Sequence, residues 1–105
     1  MRILKMTLNK EFFDQILSGE KIEEYRDFTP FWESRLLEKD TEEIVFREYD
    51  AIEFKNGYGA EVPTMLVEWK GADLILYDDA PDDSEDPEDY YFIIDLGKIL
   101  ETKNC

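Results

Sequence analysis

Segments in which apolar and polar residues alternate recur along this chain, and only two short stretches between them carry helical spacing. That pattern confines it to a small fold built mainly of strands. From Arg2 to Leu8, Ile3, Lys5 and Thr7 fall on one face and Leu4, Met6 and Leu8 on the other, the period of a half-buried strand. Asn9 then suits a helix N-cap and Glu11 adds a favourable charge to the first turn. Phe12, Phe13, Ile16 and Leu17 keep helical spacing until Gly19 supplies a left-handed stop. Lys21 to Arg26 alternates again, with Lys21, Glu23 and Tyr25 on one side and Ile22, Glu24 and Arg26 on the other. Thr29-Pro30 reads as a second helix start, with Phe31, Trp32, Arg35, Leu36 and Leu37 forming a stripe to about Glu38.

Further strands are expected at Ile44 to Phe46, Ala51 to Phe54, Val62 to Trp69 and Tyr90 to Leu96. Leu96 to Leu100 is expected to extend or hook the last. Lys55-Asn-Gly-Tyr-Gly59 reads as a turn, and Gly71 as a bend or bulge. No internal repeat occurs. The expected fold class is therefore α+β and mainly β, a small mixed barrel plugged or flanked by two short helices, rather than a doubly wound sheet. With 105 residues the chain suffices for one core and not two, so a single domain over 1–105 is expected. Seven Phe, six Tyr and two Trp suggest that the core is rich in aromatic rings.

The charge is –15, from 27 acidic against 12 basic residues, and it repels nucleic acid at long range; any contact of that kind must be local. Residues 78–89 form a dense acidic tract with two prolines, which reads as a solvated surface loop. Its prolines and missing glycine do not fit an EF-hand, and no metal is assigned to it. The chain has no histidine, which removes histidine-based triads, general bases and metal sites, and its sole cysteine is the terminal Cys105. With no disulfide, no bilayer-length apolar run and no signal-peptide core, a cytoplasmic protein without membrane association is expected. No phosphate-cradling or dinucleotide fingerprint occurs, so no cofactor is expected.

Strands disfavour a run such as Lys21 to Arg26 unless its charges face water or one another. If Ile22 points into the barrel, Glu24 and Arg26 enter the interior or a pocket rim beside it. There a bidentate arginine-carboxylate contact would satisfy both and leave Lys21 a free cation near the helix end. Two readings follow: a site for an anionic or polar ligand, or a buried pair that fixes strand register, with Lys21 capping helix carbonyls. Tyr25, Tyr58 and Trp69 suit core or rim packing as well as base stacking. Asn56 and Tyr58, in a glycine-flanked loop, can present hydrogen bonds to a nucleobase edge, and Thr64 and Arg35 are lesser candidates.

Gly19-x-Lys21-x-x-Glu24-x-Arg26 resembles the GxKxxExR signature of the ASCH family, whose fold is a PUA-like β-barrel. The resemblance extends over most of the chain to small stand-alone bacterial and phage members. It runs through Ile3 to Ser18, Tyr25 to Leu36, Phe54 to Gly59 with Pro63-Thr-Met65, and Tyr91 to Gly97; the acidic insertion departs from it. It implies a cleft between barrel and helices that binds RNA, a nucleotide or a modified nucleoside, with Lys21, Glu24, Arg26, Tyr25, Asn56 and Tyr58 as ligand-binding residues. Some relatives are hydrolases: one branch cleaves the acetyl amide of N4-acetylcytidine with a Lys, a Thr and a Glu, and another is reported to cleave RNA. Lys21 stands at the place of that lysine, whereas Glu24 stands at the place of the threonine. In an enzyme, Lys21 would be base or nucleophile and Glu24 proton acceptor or orienter. A third reading is an acidic mimic of nucleic acid that captures a basic protein partner through residues 78–89.

Overall fold

A computed structural model describes all 105 residues. Five strands and two helices follow in the order β1 (Ile3–Leu8), α1 (Lys10–Ser18), β2 (Glu23–Asp27), α2 (Pro30–Leu36), β3 (Ala51–Asn56), β4 (Thr64–Leu76) and β5 (Tyr90–Lys103). The fold is mainly β: a single sheet in the order β1-β3-β4-β5-β2 curls into a half-barrel, and the class agrees with the expectation. β1 and β3 run parallel, and every other pair is antiparallel.

Alternation decides what the sheet encloses. Leu4, Met6 and Leu8 of β1 point inward with Ile52 and Phe54 of β3, Met65 and Val67 of β4, and Phe92 and Ile94 of β5. α1 contributes Phe13 and Ile16, and α2 contributes Leu36, so the two helices close the concave side. Each fully buried apolar side chain of this size stabilises the fold by about 1.5–3 kcal/mol. Phe13, Phe54 and Phe92 are fully buried, and Phe28, Trp32, Phe46, Tyr49 and Trp69 pack around them, so the core is rich in aromatic rings, as expected.

Both helix starts match their sequence signals: the Asn9 side chain accepts the Phe12 N–H, and Thr29 accepts that of Trp32, with Pro30 at the first turn. α2 ends at Leu36, two residues earlier than expected. Ile44 to Phe46 does not form a strand. Only an isolated bridge joins Phe46 to Leu37, and Ile44 and Val45 remain largely exposed, since no neighbouring strand offers them a ladder. β4 starts two residues later than expected and continues through Gly71 to Leu76. Register shifts against β5 between Leu66 and Gly71 absorb the glycine at a φ of 120° as a bulge that bends the sheet. β5 likewise runs on to Lys103.

The acidic tract is exposed along most of its length but is organised internally. Ser84 bonds Asp89, the Tyr90 hydroxyl donates to Ser84 O at 2.7 Å, and Asp86 caps a single 3-10 turn at Pro87–Asp89. Both of its ends are tied together where Tyr77 N–H donates to Asp89 O at 2.8 Å. No helix is long and apolar enough to cross a membrane.

Candidate functional site

The end of α1 delivers the first site residue. Gly19 adopts a φ of 86°, which lets its N–H reach Ile16 O, and the chain folds back so that Lys21 N–H meets Gln15 O, both at 3.1 Å. Ile22 O then accepts the Leu96 N–H at 3.0 Å, aligning the chain with β5 before β2 begins. Ile22 itself is 64% exposed and lies outside the strand, which corrects the inward placement considered for it. The pair it was expected to accompany does turn inward: Glu24 is 3% exposed and lies opposite Ile94 of the core, with Arg26 opposite Phe92.

Around the Glu24 carboxylate the donors converge on one oxygen. Oε1 accepts from Arg26 Nη1 at 2.7 Å, from Lys21 Nζ at 3.2 Å and from the Tyr25 N–H at 3.2 Å. Oε2 lies 3.1 Å from Lys21 Nζ, close enough for ion pairing, yet it is buried and has no hydrogen-bond donor. Two sequence expectations are thereby corrected. The arginine contact is single rather than bidentate, because the same Nη1 also donates to Tyr25 O at 2.7 Å. Nor is Lys21 a free cation, since the i, i+3 step brings its ammonium onto Glu24 instead of onto helix carbonyls.

Both cations rest on aromatic faces that the sequence reading did not assign to the site. Lys21 Nζ sits 4.4 Å from the ring centroid of Phe12 on α1, and the Arg26 guanidinium 5.2 Å from that of Trp32 on α2. The only sequence signal was helical spacing, which serves core packing equally well. Lys21 also lines a cleft of about 510 Å³ with Phe12, Gln15, Glu20, Glu23 and Tyr25. Glu24 does not line that cleft; the lysine stands between it and the opening. Lys21 and Arg26 stand against Glu24 in the cluster, while Glu20 and Glu23 line the same cleft as Lys21, so the opening carries no net positive charge.

Tyr25 belongs to the opposite face of β2, where it is 47% exposed and its hydroxyl donates to Glu23 Oε1 at 3.3 Å. Partial desolvation, then the charge and hydrogen bond of Glu23, raise its pKa above that of an ordinary phenol.

Asn56 and Tyr58 are not brought to the cluster. Asn56 ends β3 opposite Leu8 and Tyr58 follows it; the neighbouring Thr64 pairs with Lys103 of β5, whereas Glu24 pairs with Ile94. Nine residues of β5, roughly 30 Å of strand, separate those two levels. Tyr58 is 90% exposed, and the Asn56 N–H is used in the turn, donating to Pro63 O at 2.9 Å. Arg35 lies over Phe31 and donates to its carbonyl, away from Glu24.

No family model, no curated protein and no solved structure matches this chain. The site is therefore read from its own chemistry.

Proposed function

We propose that this chain is a binding module of the ASCH type that takes a nucleoside, a nucleotide or a single-stranded RNA end at Lys21, Glu24 and Arg26. The observation that carries the reading is the buried Glu24 carboxylate, which accepts three hydrogen bonds at Oε1 and has only the Lys21 ammonium, 3.1 Å away, beside Oε2. With that ammonium swung aside, a ligand N–H at Oε2 makes a hydrogen bond to a charged acceptor, worth about 1.5–3 kcal/mol. A nucleobase edge with an exocyclic amine, such as that of cytosine, is a suitable donor to a carboxylate. Lys21 is the movable member: its flexible stem lets the ammonium swing from Oε2 toward the cleft and meet a ribose or phosphate oxygen. Phe12 and Trp32 offer rings for stacking once their cations shift. The volume of the cleft, about 510 Å³, suits one nucleoside or a short end better than a long RNA.

Equilibrium titration with cytidine, N4-acetylcytidine, uridine and a short single-stranded RNA tests this. Lys21→Ala and Glu24→Gln should each weaken binding by about tenfold or more, with circular dichroism unchanged. Equal affinity in wild type and both variants would overturn the reading. The hydrolase version rests on the same Lys21–Glu24 contact and requires product from N4-acetylcytidine or RNA that vanishes in Lys21→Ala.

A further inference from the structure

A second cavity, of about 440 Å³, opens on the side of β2 that carries Tyr25. Tyr25, Tyr77 and Tyr91 wall it, with Asp27, Asp78 and Leu76. Tyr91 sits between the other two rings, 6.0 Å from Tyr25 at an interplanar angle of 54° and 4.7 Å from Tyr77 at 43°. Three tilted rings in a row present the electron-rich faces that attract a cation. None of the three is used in that way within the chain. The protein's own cation-π contacts fall on Tyr49, Phe12, Trp32 and Phe31. Arg26 is the sole cationic residue at the cavity, and its guanidinium is already held by Glu24, by Tyr25 O and by the Trp32 face. The remaining charges at the wall are the carboxylates of Asp27 and Asp78, with Glu23 bound to the Tyr25 hydroxyl.

The acidic tract starts at this cavity. Asp78 belongs to its wall, and the tract returns through Asp89, whose carbonyl is bonded to Tyr77, into the start of β5 just before Tyr91. Residues 78–89 carry eight carboxylates and no base, so the aromatic cavity opens beside an extended field of negative charge. A free organic cation would use only the rings. A segment with several basic residues can place one side chain among the tyrosines and lay the others along the tract.

We propose that this cavity is the docking site of a basic peptide segment, which inserts one Lys or Arg side chain between Tyr25, Tyr77 and Tyr91 while its other bases follow residues 78–89. The partner is identified by that chemistry alone; the cavity adjoins the Lys21 cluster, sharing Tyr25 with its cleft and Arg26 with its ion pairs, while Tyr77 and Tyr91 line this cavity and not that cleft.

Fluorescence anisotropy of a labelled Lys- and Arg-rich nonapeptide, titrated with the full chain, tests this. Tyr77→Leu keeps apolar bulk while removing the π face, and should weaken binding about fivefold or more with the fold intact by circular dichroism. Neutralising Asp82, Asp83, Glu85 and Asp86 to their amides should weaken binding further and flatten its salt dependence. Tyr58→Leu, which alters an exposed tyrosine far from the cavity, should leave affinity unchanged. Three results overturn the proposal: no binding of the peptide, equal affinity in Tyr77→Leu and wild type, or binding of tetramethylammonium as tight as that of the peptide.

Discussion

The two faces of β2 present opposite solutions on five residues. Toward the core, Glu24 and Arg26 bury charge and compensate it with each other, with Lys21 and with rings from both helices. Toward the outside, Glu23, Tyr25 and Asp27 join Tyr77 and Tyr91 in an aromatic, acidic surface in contact with water. Strand alternation assigns the faces, but the neighbours decide what each can do. The inner face sets two cations on one buried carboxylate, whereas the outer carries tyrosine rings beside exposed carboxylates. The two meet at Tyr25, which lines the cavities on both sides, and at Arg26, which reaches the outer one.

Stability should divide along the same line. Glu24→Ala leaves Lys21 and Arg26 facing one another in a largely buried setting, and the expected loss is about 3 kcal/mol, a fall of roughly 10–20 °C in Tm. Tyr25→Ala on the outer face removes a half-exposed ring and should lose about 1 kcal/mol or less in the same thermal or urea unfolding series. Equal losses at the two positions would break the comparison, because they would mean that Glu24 is no more constrained than a surface residue.

A smaller effect is expected with alkali. The Tyr25 phenol ionises at higher pH in the folded chain than in the unfolded one, through partial burial and then Glu23. Its contribution is therefore fully present below the unfolded value near 10 and is lost as pH rises through the folded value. Urea midpoints in that alkaline range should fall more steeply for wild type than for Tyr25→Phe.

Much of the fold was legible because its signals are local. The alternation of Leu4, Met6 and Leu8 specified the buried face of β1, and Asn9 and Gly19 specified both ends of α1. Ile44 and Val45 misled because β-branched composition says nothing about whether a partner strand is at hand. Gly71, read as a bend or bulge, sits at a bulge in the β4–β5 ladder, which continues beyond it to Leu76. Within the site, strand period placed Glu24 and Arg26 on one face, but the direction of that face was tied to Ile22, which is exposed. The engagement of Lys21 with Glu24 did not follow from strand period, because it depends on how the chain turns back after Gly19. Phe12 and Trp32 join the cluster through the way the adjoining helices fold back on β2, and Tyr77 joins Tyr25 through packing between segments distant in sequence. Asn56 and Tyr58 were placed by their turn chemistry, which fixes a local shape and not a location relative to β2.

On this account the inner face of β2 receives a ligand through Lys21 and the Glu24 carboxylate it covers. The most direct measurement is a ¹H–¹⁵N NMR titration of the intact protein with cytidine, run in parallel on Glu24→Gln. Shifts at the amides of Lys21, Glu24 and Arg26 that spread to Phe12 and are abolished in the variant are the predicted result; shifts confined to Tyr25, Tyr77 and Tyr91, or none at all, would contradict it.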